Sequence, residues 1–272
     1  MPRFCVTDPR HLILLVPFGY AFTSRYHWPR DFVVNALTAW VPGVILVALL
    51  GDLGAGPAVL TYLLGYAVFI SLYELGYLAN DTIGLRHDPT PRRRVDVVMS
   101  PTTILVFGTV RLGVALVAIL ALGVGGAAIY WATLAALGVT LIAHNTLRAT
   151  EMKFFTFLQL SLFRFALPVL PVLVVAGDVV GMLICFATGL LLFTLPRFLT
   201  YLDAKGRLSL PERKARAYHL KTHLAVLPLV TLLSIATHEV APIACLLWGV
   251  FVQLVYVARA RVPAHPGGAT SL

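Results

Sequence analysis

Apolar runs of membrane-spanning length follow one another along almost the whole chain. A transmembrane helix needs about 20 mostly apolar residues, and this template predicts eight spans, at residues 32–51, 57–79, 101–123, 126–144, 153–175, 179–199, 222–238 and 240–258. A shorter run near residues 11–22 has three open interpretations: a ninth span, an interfacial helix or a re-entrant segment. Pro168 and Pro171 lie inside the fifth span and are expected to kink it, because proline lacks a backbone donor.

The composition indicates the same class of protein. Hydrophobic residues make up 59% of the chain and charged residues 12%, and the mean hydropathy is +0.86. Ordinary soluble domains have a smaller apolar share. We therefore predict an all-α integral membrane protein that forms one transmembrane domain over residues 1–272. The three cysteines have neither metal-ligand spacing nor a paired framework, so they are expected to be packing residues.

The positive charges lie on one side of the predicted bundle. All but two of the 21 lysines and arginines lie in connections that are separated by an even number of spans, so these connections are on the same side of the membrane. The two exceptions are Arg111 and Arg164. By the positive-inside rule, this side and both termini face the cytoplasm of a bacterial cell. Residues 1–31 then form a cytoplasmic or interfacial segment, and 80–100 and 200–221 form cytoplasmic loops. The net charge of +9 is explained by membrane orientation and by interaction with anionic lipid headgroups, so no binding of nucleic acid is expected.

The second predicted span ends in a cluster of polar residues. Asn80, Asp81 and Asp88 are followed by three consecutive arginines, Arg92 to Arg94. Mg²⁺ takes oxygen ligands and is commonly held by one or two carboxylates plus substrate phosphates, while arginine pairs with the remaining anionic oxygens. The cluster therefore indicates an enzyme that acts on a phosphorylated lipid. A second polar loop follows the sixth span, and this arrangement predicts two four-helix halves around a central cavity.

The two exceptional arginines lie within predicted spans. Ionisable groups at membrane depth usually face a cavity or a partner, so both are functional candidates. Lys153 and Arg164 are about three helical turns apart, and they share one face that suits a diphosphate. In the alternative, Lys153 reaches the interface and Arg164 pairs with Glu74 or another buried acid. Glu74 in turn shares a helix face with Tyr77 and Asp81.

These residues resemble a known family. Asn80, Asp81 and Asp88 match three positions of the NDxxDxxxD signature of the UbiA superfamily of intramembrane prenyltransferases. The Pro-containing basic stretch that follows, and the helix around Lys153, are similar to the corresponding parts of that family. One signature position differs, because Gly84 stands where the family has its middle Asp, which removes one potential Mg²⁺ ligand.

The second polar loop also resembles the family. Residues 196–224 are similar to its loop after the sixth helix, most closely in the prenyl-phosphate phosphoribosyltransferase branch, where a pair comparable to Arg213 and Lys214 precedes the next helix. This loop departs from the family in its acids, because it offers only Asp203 and Glu212 instead of a DxxxD pair. The histidines show no common ligand spacing, and interface or loop roles are expected for His87, His144, His219 and His223.

The resemblance implies a UbiA-like helical bundle in a lipid bilayer that transfers a polyprenyl group from a polyprenyl diphosphate to a small acceptor. It implies that Mg²⁺ is held by Asp81 and Asp88, with Asn80 orienting or coordinating. Substrate contacts are expected from Arg92, Arg94, Lys153, Arg164, Arg213 and Lys214, and acceptor contacts from Tyr201 or Asp203. Two alternatives stay open: a polyprenyl-phosphate phosphoribosyltransferase, and a non-catalytic membrane protein on the same scaffold.

Overall fold

The computed structural model of this 272-residue chain describes residues 9–25, 29–82, 99–211 and 217–259. Within these ranges the secondary structure is helical, without strands. The helices are α1 (Pro9–Leu15), α2 (Gly19–Arg25), α3 (Pro29–Asn35), α4 (Val41–Leu50), α5 (Ala55–Thr82), α6 (Pro101–Ala121), α7 (Ala128–Thr146), α8 (Thr150–Ala166), α9 (Leu170–Ala176), α10 (Val179–Gly189), α11 (Leu195–Ala204), α12 (Tyr218–Thr237) and α13 (Ala241–Arg259). Two π-helical turns, Ala36–Trp40 and Leu190–Thr194, connect α3 to α4 and α10 to α11.

The described part of the chain has seven helices that are long and apolar enough to cross a membrane, or eight when the bent pair α8 and α9 counts as one span. The protein is therefore an all-α, multi-pass membrane protein, and its spans match the eight predicted ones to within about five residues at each end. Large apolar side chains cover the outer faces of the bundle; Leu105 and Val117, for example, are 71% and 67% exposed. Such faces suit contact with lipid.

The predicted kink in the fifth span is confirmed. The axes of α8 and α9 meet at 68°, and the break falls at residues 167–169, around Pro168. Helix α5 packs directly against this break. Gly65 makes the close approach possible, because a Cβ atom there would collide with the backbone carbonyl of Pro168.

The apolar run near residues 11–22 is not a ninth span. It forms the short helices α1 and α2, which are joined by a turn in which Phe18 has a φ of 73°. Leu14 and Tyr20 are 2% and 1% exposed, and the two helices pack against α6 and α5 respectively. This helical pair is therefore part of the packed interior of the bundle.

The last span closes the bundle beside the first. Helix α13 packs against both α12 and α4, while α5 packs against α4, α6 and α7. The helices thus surround a central space that α5 borders along much of its length. Cys185 and Cys245 are buried in the helix packing, as expected for these two cysteines.

Candidate functional site

A cavity of about 1780 Å³ lies between α5 and the helices that face it. This volume is larger than the roughly 300–1,000 Å³ of pockets for drug-sized ligands. Side chains from α2, α8, α12 and α13 contribute to the wall, together with residues at and near both π-helical turns. The lining is mostly apolar and aromatic. Among the described residues, its charged members are three arginines: Arg25, Arg164 and Arg197.

An aromatic ladder on α5 forms one wall of the cavity. Tyr66, Phe69, Tyr73 and Tyr77 follow one another at spacings of three and four residues, so they lie on one face of the helix. Their successive ring centroids are 5.8, 4.8 and 4.9 Å apart. Tyr62 continues the ladder below the cavity wall and is buried. This wall offers a continuous apolar surface to a long hydrocarbon chain.

The three arginines lie among the aromatic residues of the cavity wall. Arg25 lies 4.0 Å from the ring centroid of Tyr77, and Arg197 lies 5.0 Å from that of Phe193. The described lining contains no carboxylate. Three cations in the lining of one mostly apolar cavity favour the entry of an anion.

Several donors in this region have no acceptor among the described residues. The Nε and Nη1 atoms of Arg25 and the Nδ2 atom of Asn35 are buried without a hydrogen-bond partner. Asn35 is oriented by Arg164, whose Nη2 donates to Asn35 Oδ1 at 2.8 Å, which leaves the amide nitrogen as a donor. Buried donors without acceptors are costly. Oxygens of a bound phosphate would supply the missing acceptors.

Asp81 lies one helical turn beyond Tyr77, next to the cavity. Its carboxylate accepts hydrogen bonds from the Tyr20 hydroxyl at 2.8 Å and from Asn80 Nδ2 at 3.1 Å, and Arg25 Nη2 is 3.8 Å away. Burial, followed by the charge of Asp81 and the hydrogen bond to it, raises the pKa of Tyr20 far above its usual value, so this hydroxyl stays a donor.

These contacts limit how Mg²⁺ would fit. The oxygen donors that the described residues provide here are one carboxylate and the side chains of Tyr20 and Asn80. No group of three or more His, Cys, Asp or Glu that could hold a metal occurs in the described part of the chain. One carboxylate that already accepts two hydrogen bonds provides a minimal Mg²⁺ site, which substrate phosphates would have to complete. The second predicted ligand, Asp88, lies outside the described residues.

Glu74, one turn deeper than Tyr77, is not paired with Arg164. It forms an ion pair with Arg111, with Oε2 and Nε 2.6 Å apart, and both side chains are fully buried. Glu74 also accepts hydrogen bonds from the backbone N–H groups of Phe18 and Ala21, at 3.2 and 2.7 Å. The guanidinium of Arg111 donates to three successive carbonyls, those of Leu14, Leu15 and Val16. This pair therefore holds the turn between α1 and α2, and Arg111 has a structural role.

The structure separates the other predicted site residues. Tyr201 lines the cavity, stacked on Phe157 with centroids 3.9 Å apart. Lys153 is not part of the described cavity lining, and its backbone carbonyl accepts a hydrogen bond from the Thr156 hydroxyl at 3.1 Å. Asp203 accepts a hydrogen bond from the backbone N–H of Leu210 at 2.8 Å and so stabilises the loop that follows α11. The remaining predicted residues lie outside the described ranges: Asp88, Arg92, Arg94, Arg213 and Lys214.

Several cavity residues were not predicted from the sequence. Arg25 and Arg197 were treated only as charges that set orientation, yet both line the cavity. His219 and His223, for which interface or loop roles were expected, lie in α12 and not in a loop, and both also line the cavity. Their spacing of four residues on an apolar helix was the available signal, because it places both rings on one helix face.

Comparisons with protein-family models, curated proteins and solved structures find no match to this chain.

Proposed function

We propose that the protein is a membrane enzyme that binds a polyprenyl diphosphate in the arginine-lined cavity and transfers its polyprenyl group to a small acceptor. The observation that carries the proposal is the set of buried donors on Arg25 and Asn35 that have no acceptor among the described residues. Both residues line a cavity that is otherwise mostly apolar. An anionic head joined to a long hydrocarbon tail is the kind of ligand that satisfies both parts of this lining.

The two parts of the ligand are assigned to two parts of the cavity. The diphosphate lies beside Arg25, Arg164 and Arg197, which line the same cavity. The isoprenoid tail lies along the aromatic ladder towards Tyr66 and leaves the bundle between lipid-facing helices. Arginine forks pair well with phosphate oxygens, and a water-poor cavity strengthens these contacts.

The arginines also supply the chemistry that such a reaction needs. When the bond between the first prenyl carbon and the diphosphate oxygen breaks, negative charge grows on the leaving group. Fixed guanidinium groups stabilise this charge without reorganisation at the moment of reaction. Mg²⁺, held by Asp81 and Asp88, would add a second positive charge at the leaving group when bound. The apolar walls exclude water from the rest of the cavity.

A second candidate function is transfer of phosphoribose from phosphoribosyl diphosphate to a polyprenyl phosphate. The observation that favours it is the charge of the described lining, which has three arginines and no carboxylate. A site with many cations and few acids suits two phosphorylated substrates better than it suits a metal-centred mechanism. In this reaction the lipid phosphate itself is the nucleophile.

Product analysis of the purified protein in lipid nanodiscs distinguishes these functions. Geranylgeranyl diphosphate, a polyprenyl phosphate and phosphoribosyl diphosphate would be supplied separately and in pairs, with and without Mg²⁺. Release of diphosphate from the prenyl donor alone supports the first function, and consumption of the sugar donor supports the second. The variant Arg25→Leu should lose activity, whereas Arg207→Leu, on an exposed loop, serves as the matched control. Binding without either product would indicate a non-catalytic membrane protein.

Orientation in the membrane is part of the proposal. The basic connections are placed in the bacterial cytoplasm together with both termini, because cytoplasmic loops carry an excess of Lys and Arg. The contact between Arg207 and Glu151, at 2.7 Å, supports a common side for the connections on which these residues lie. In a background with Cys5 replaced by Ser, an impermeant thiol reagent added outside the cell should label Ala176→Cys but not Lys205→Cys. The reverse pattern would refute the orientation.

A further inference from the structure

The cavity contains two side chains that can act as a base near neutral pH. The described lining has no carboxylate, and its arginines stay protonated, so the candidates are the imidazoles of His219 and His223. Both lie on α12, on the same side of the helix. Neither residue has a role in binding the lipid phosphate as proposed above.

The backbone determines which nitrogen of His223 carries the proton. Its Nδ1 atom is 2.6 Å from the carbonyl oxygen of His219. A carbonyl oxygen can only accept a hydrogen bond, so Nδ1 is the protonated donor. In the neutral ring, Nε2 then keeps its lone pair and is a hydrogen-bond acceptor. The same contact fixes the orientation of the ring.

The surroundings of this imidazole suit a neutral base. Gly249 on α13 makes room for the ring, because a Cβ atom there would lie 2.6 Å from His223 Nε2 and from its Cδ2. The three arginines share the lining of the cavity with both imidazoles, and positive charge in the same cavity disfavours a protonated imidazole. Tyr201 and Gln253, which also line the cavity, add polar groups from α11 and α13.

The geometry points to His223 as the general base that accepts the proton of a neutral hydroxyl acceptor in the prenyl-transfer reaction. This inference rests on the proposed function. In the step, a lone pair of the acceptor oxygen forms a bond to the first prenyl carbon. The bond from that carbon to the diphosphate oxygen breaks, and its electron pair leaves on the diphosphate. The acceptor proton passes to His223 Nε2.

This role also separates the two candidate functions. A neutral hydroxyl gains nucleophilicity when a base removes its proton, so prenyl transfer to such an acceptor needs the imidazole. A polyprenyl phosphate that attacks phosphoribosyl diphosphate is already an anion and does not. Dependence on His223 is therefore specific to the first function.

Two substitutions of His223 test the inference. His223→Asn keeps a donor that can reach the His219 carbonyl but removes the Nε2 base, and His223→Ala leaves a space that free imidazole can enter. The matched control is His238→Asn, which makes the same change at an exposed residue outside the cavity. His238 has a φ of 57°, a conformation that Asn tolerates well. Each protein is assayed for diphosphate release from geranylgeranyl diphosphate with water as the acceptor, and for binding of its unreactive thiolodiphosphate analogue.

We expect both His223 variants to lose about 100-fold or more in turnover, which is the usual contribution of a general base. Binding of the analogue should stay unchanged, imidazole should restore turnover in His223→Ala but not in His223→Asn, and His238→Asn should behave as the wild type. Nitrogen NMR of histidine-labelled protein provides a readout that does not depend on activity. It should show a proton on Nδ1 of a ring whose signal disappears in His223→Asn.

Other results would overturn the inference in distinguishable ways. Undiminished turnover in both His223 variants, or a proton on Nε2 of the neutral ring, would contradict the base assignment. A parallel loss of binding and turnover would mean that His223 holds the donor instead of activating the acceptor. If the wild type binds the analogue but releases no diphosphate, this inference fails while the lipid-phosphate site remains. If the wild type does not bind the analogue, the proposed function itself is wrong.

Discussion

Arg111 and Arg164 are the same residue type in the same kind of apolar span, yet their surroundings differ completely. Arg111 is fully buried, is paired with Glu74, and donates to three backbone carbonyls. Arg164 lines a large cavity and donates to Asn35, a neutral residue that also lines it. Arg111 thus has a charged partner supplied by the protein, and Arg164 lies where a ligand can enter.

The difference shows that a cation at membrane depth can either hold neighbouring helices together or line a cavity. The Glu74–Arg111 pair holds α1 and α2 against the bundle, and that helical pair carries Tyr20 and Arg25 towards the cavity. The structural region therefore positions part of the binding region. An arginine in a span is a candidate for ligand binding when it borders a cavity that has no acid, and a structural residue when an acid is buried with it.

Replacement of the buried Arg111 should have the largest effect, and this effect is on protein stability. Arg111→Leu leaves the Glu74 carboxylate and three carbonyls buried without their partner, which should destabilise the protein by about 3–5 kcal/mol. Thermal unfolding in detergent measures this loss, and proteolysis should show release of α1 and α2. The double variant with Glu74→Leu should recover part of the stability, since it no longer buries an unpaired charge. An unchanged unfolding temperature in Arg111→Leu would contradict the structural role of Arg111.

The second prediction concerns Asp81, the other carboxylate on the same face of α5 as Glu74. Asp81→Asn keeps an acceptor for Tyr20 but removes the negative charge proposed to hold Mg²⁺ together with Asp88. We expect Mg²⁺-dependent turnover to fall by at least about 100-fold, comparable to the loss of an electrostatic group in other active sites, while the unfolding temperature changes little. Full activity in both Asp81→Asn and Asp88→Asn would eliminate the metal assignment.

Arg164 should show the opposite pattern to Arg111. Arg164→Leu should weaken binding of geranylgeranyl diphosphate by about 10- to 150-fold, which corresponds to the roughly 1.5–3 kcal/mol of a hydrogen bond to a charged group. Stability should change far less than in Arg111→Leu. Isothermal titration and thermal unfolding of the same preparations give both quantities. Unaltered binding together with reduced stability would make Arg164 a structural residue like Arg111.

Tyr20 connects the two regions and should give the smallest effect. Tyr20→Phe removes the hydrogen bond to Asp81 but keeps the ring that packs on Phe107. We expect a loss of about 1 kcal/mol in stability, because Asp81 keeps Asn80 and Arg25 as neighbours. Chemical denaturation followed by tyrosine fluorescence is a suitable measurement. A loss as large as that of Arg111→Leu would show that α2 is held mainly by Asp81.

The spans could be predicted from the sequence because length and apolar composition alone determine them. The kink at Pro168 follows equally directly from the missing backbone donor. The shared face of Glu74, Tyr77 and Asp81 also follows from helical spacing, and in the structure Tyr77 and Asp81 both contact Arg25. These features depend on local geometry within one helix.

The partners of the charged residues could not be predicted, because they depend on packing between distant helices. Glu74 pairs with Arg111 and not with Arg164. Arg111 lies in α6 and Arg164 in α8, and nothing in the sequence spacing along these helices shows which of the two arginines pairs with Glu74. Arg25 and Arg197 have the same sequence context as charges that only set orientation. Their position at the cavity follows from the packing of α2 on α5 and of α11 on α8.

The most direct test of the account compares two ligands that differ only in charge. Affinities of geranylgeranyl diphosphate and of uncharged geranylgeraniol would be measured for the wild type, Arg164→Leu and the exposed control Arg207→Leu. If the cavity binds a phosphorylated lipid, the wild type and the control should prefer the diphosphate strongly, and Arg164→Leu should lose much of that preference. Equal affinity of the wild-type protein for both ligands would contradict the account.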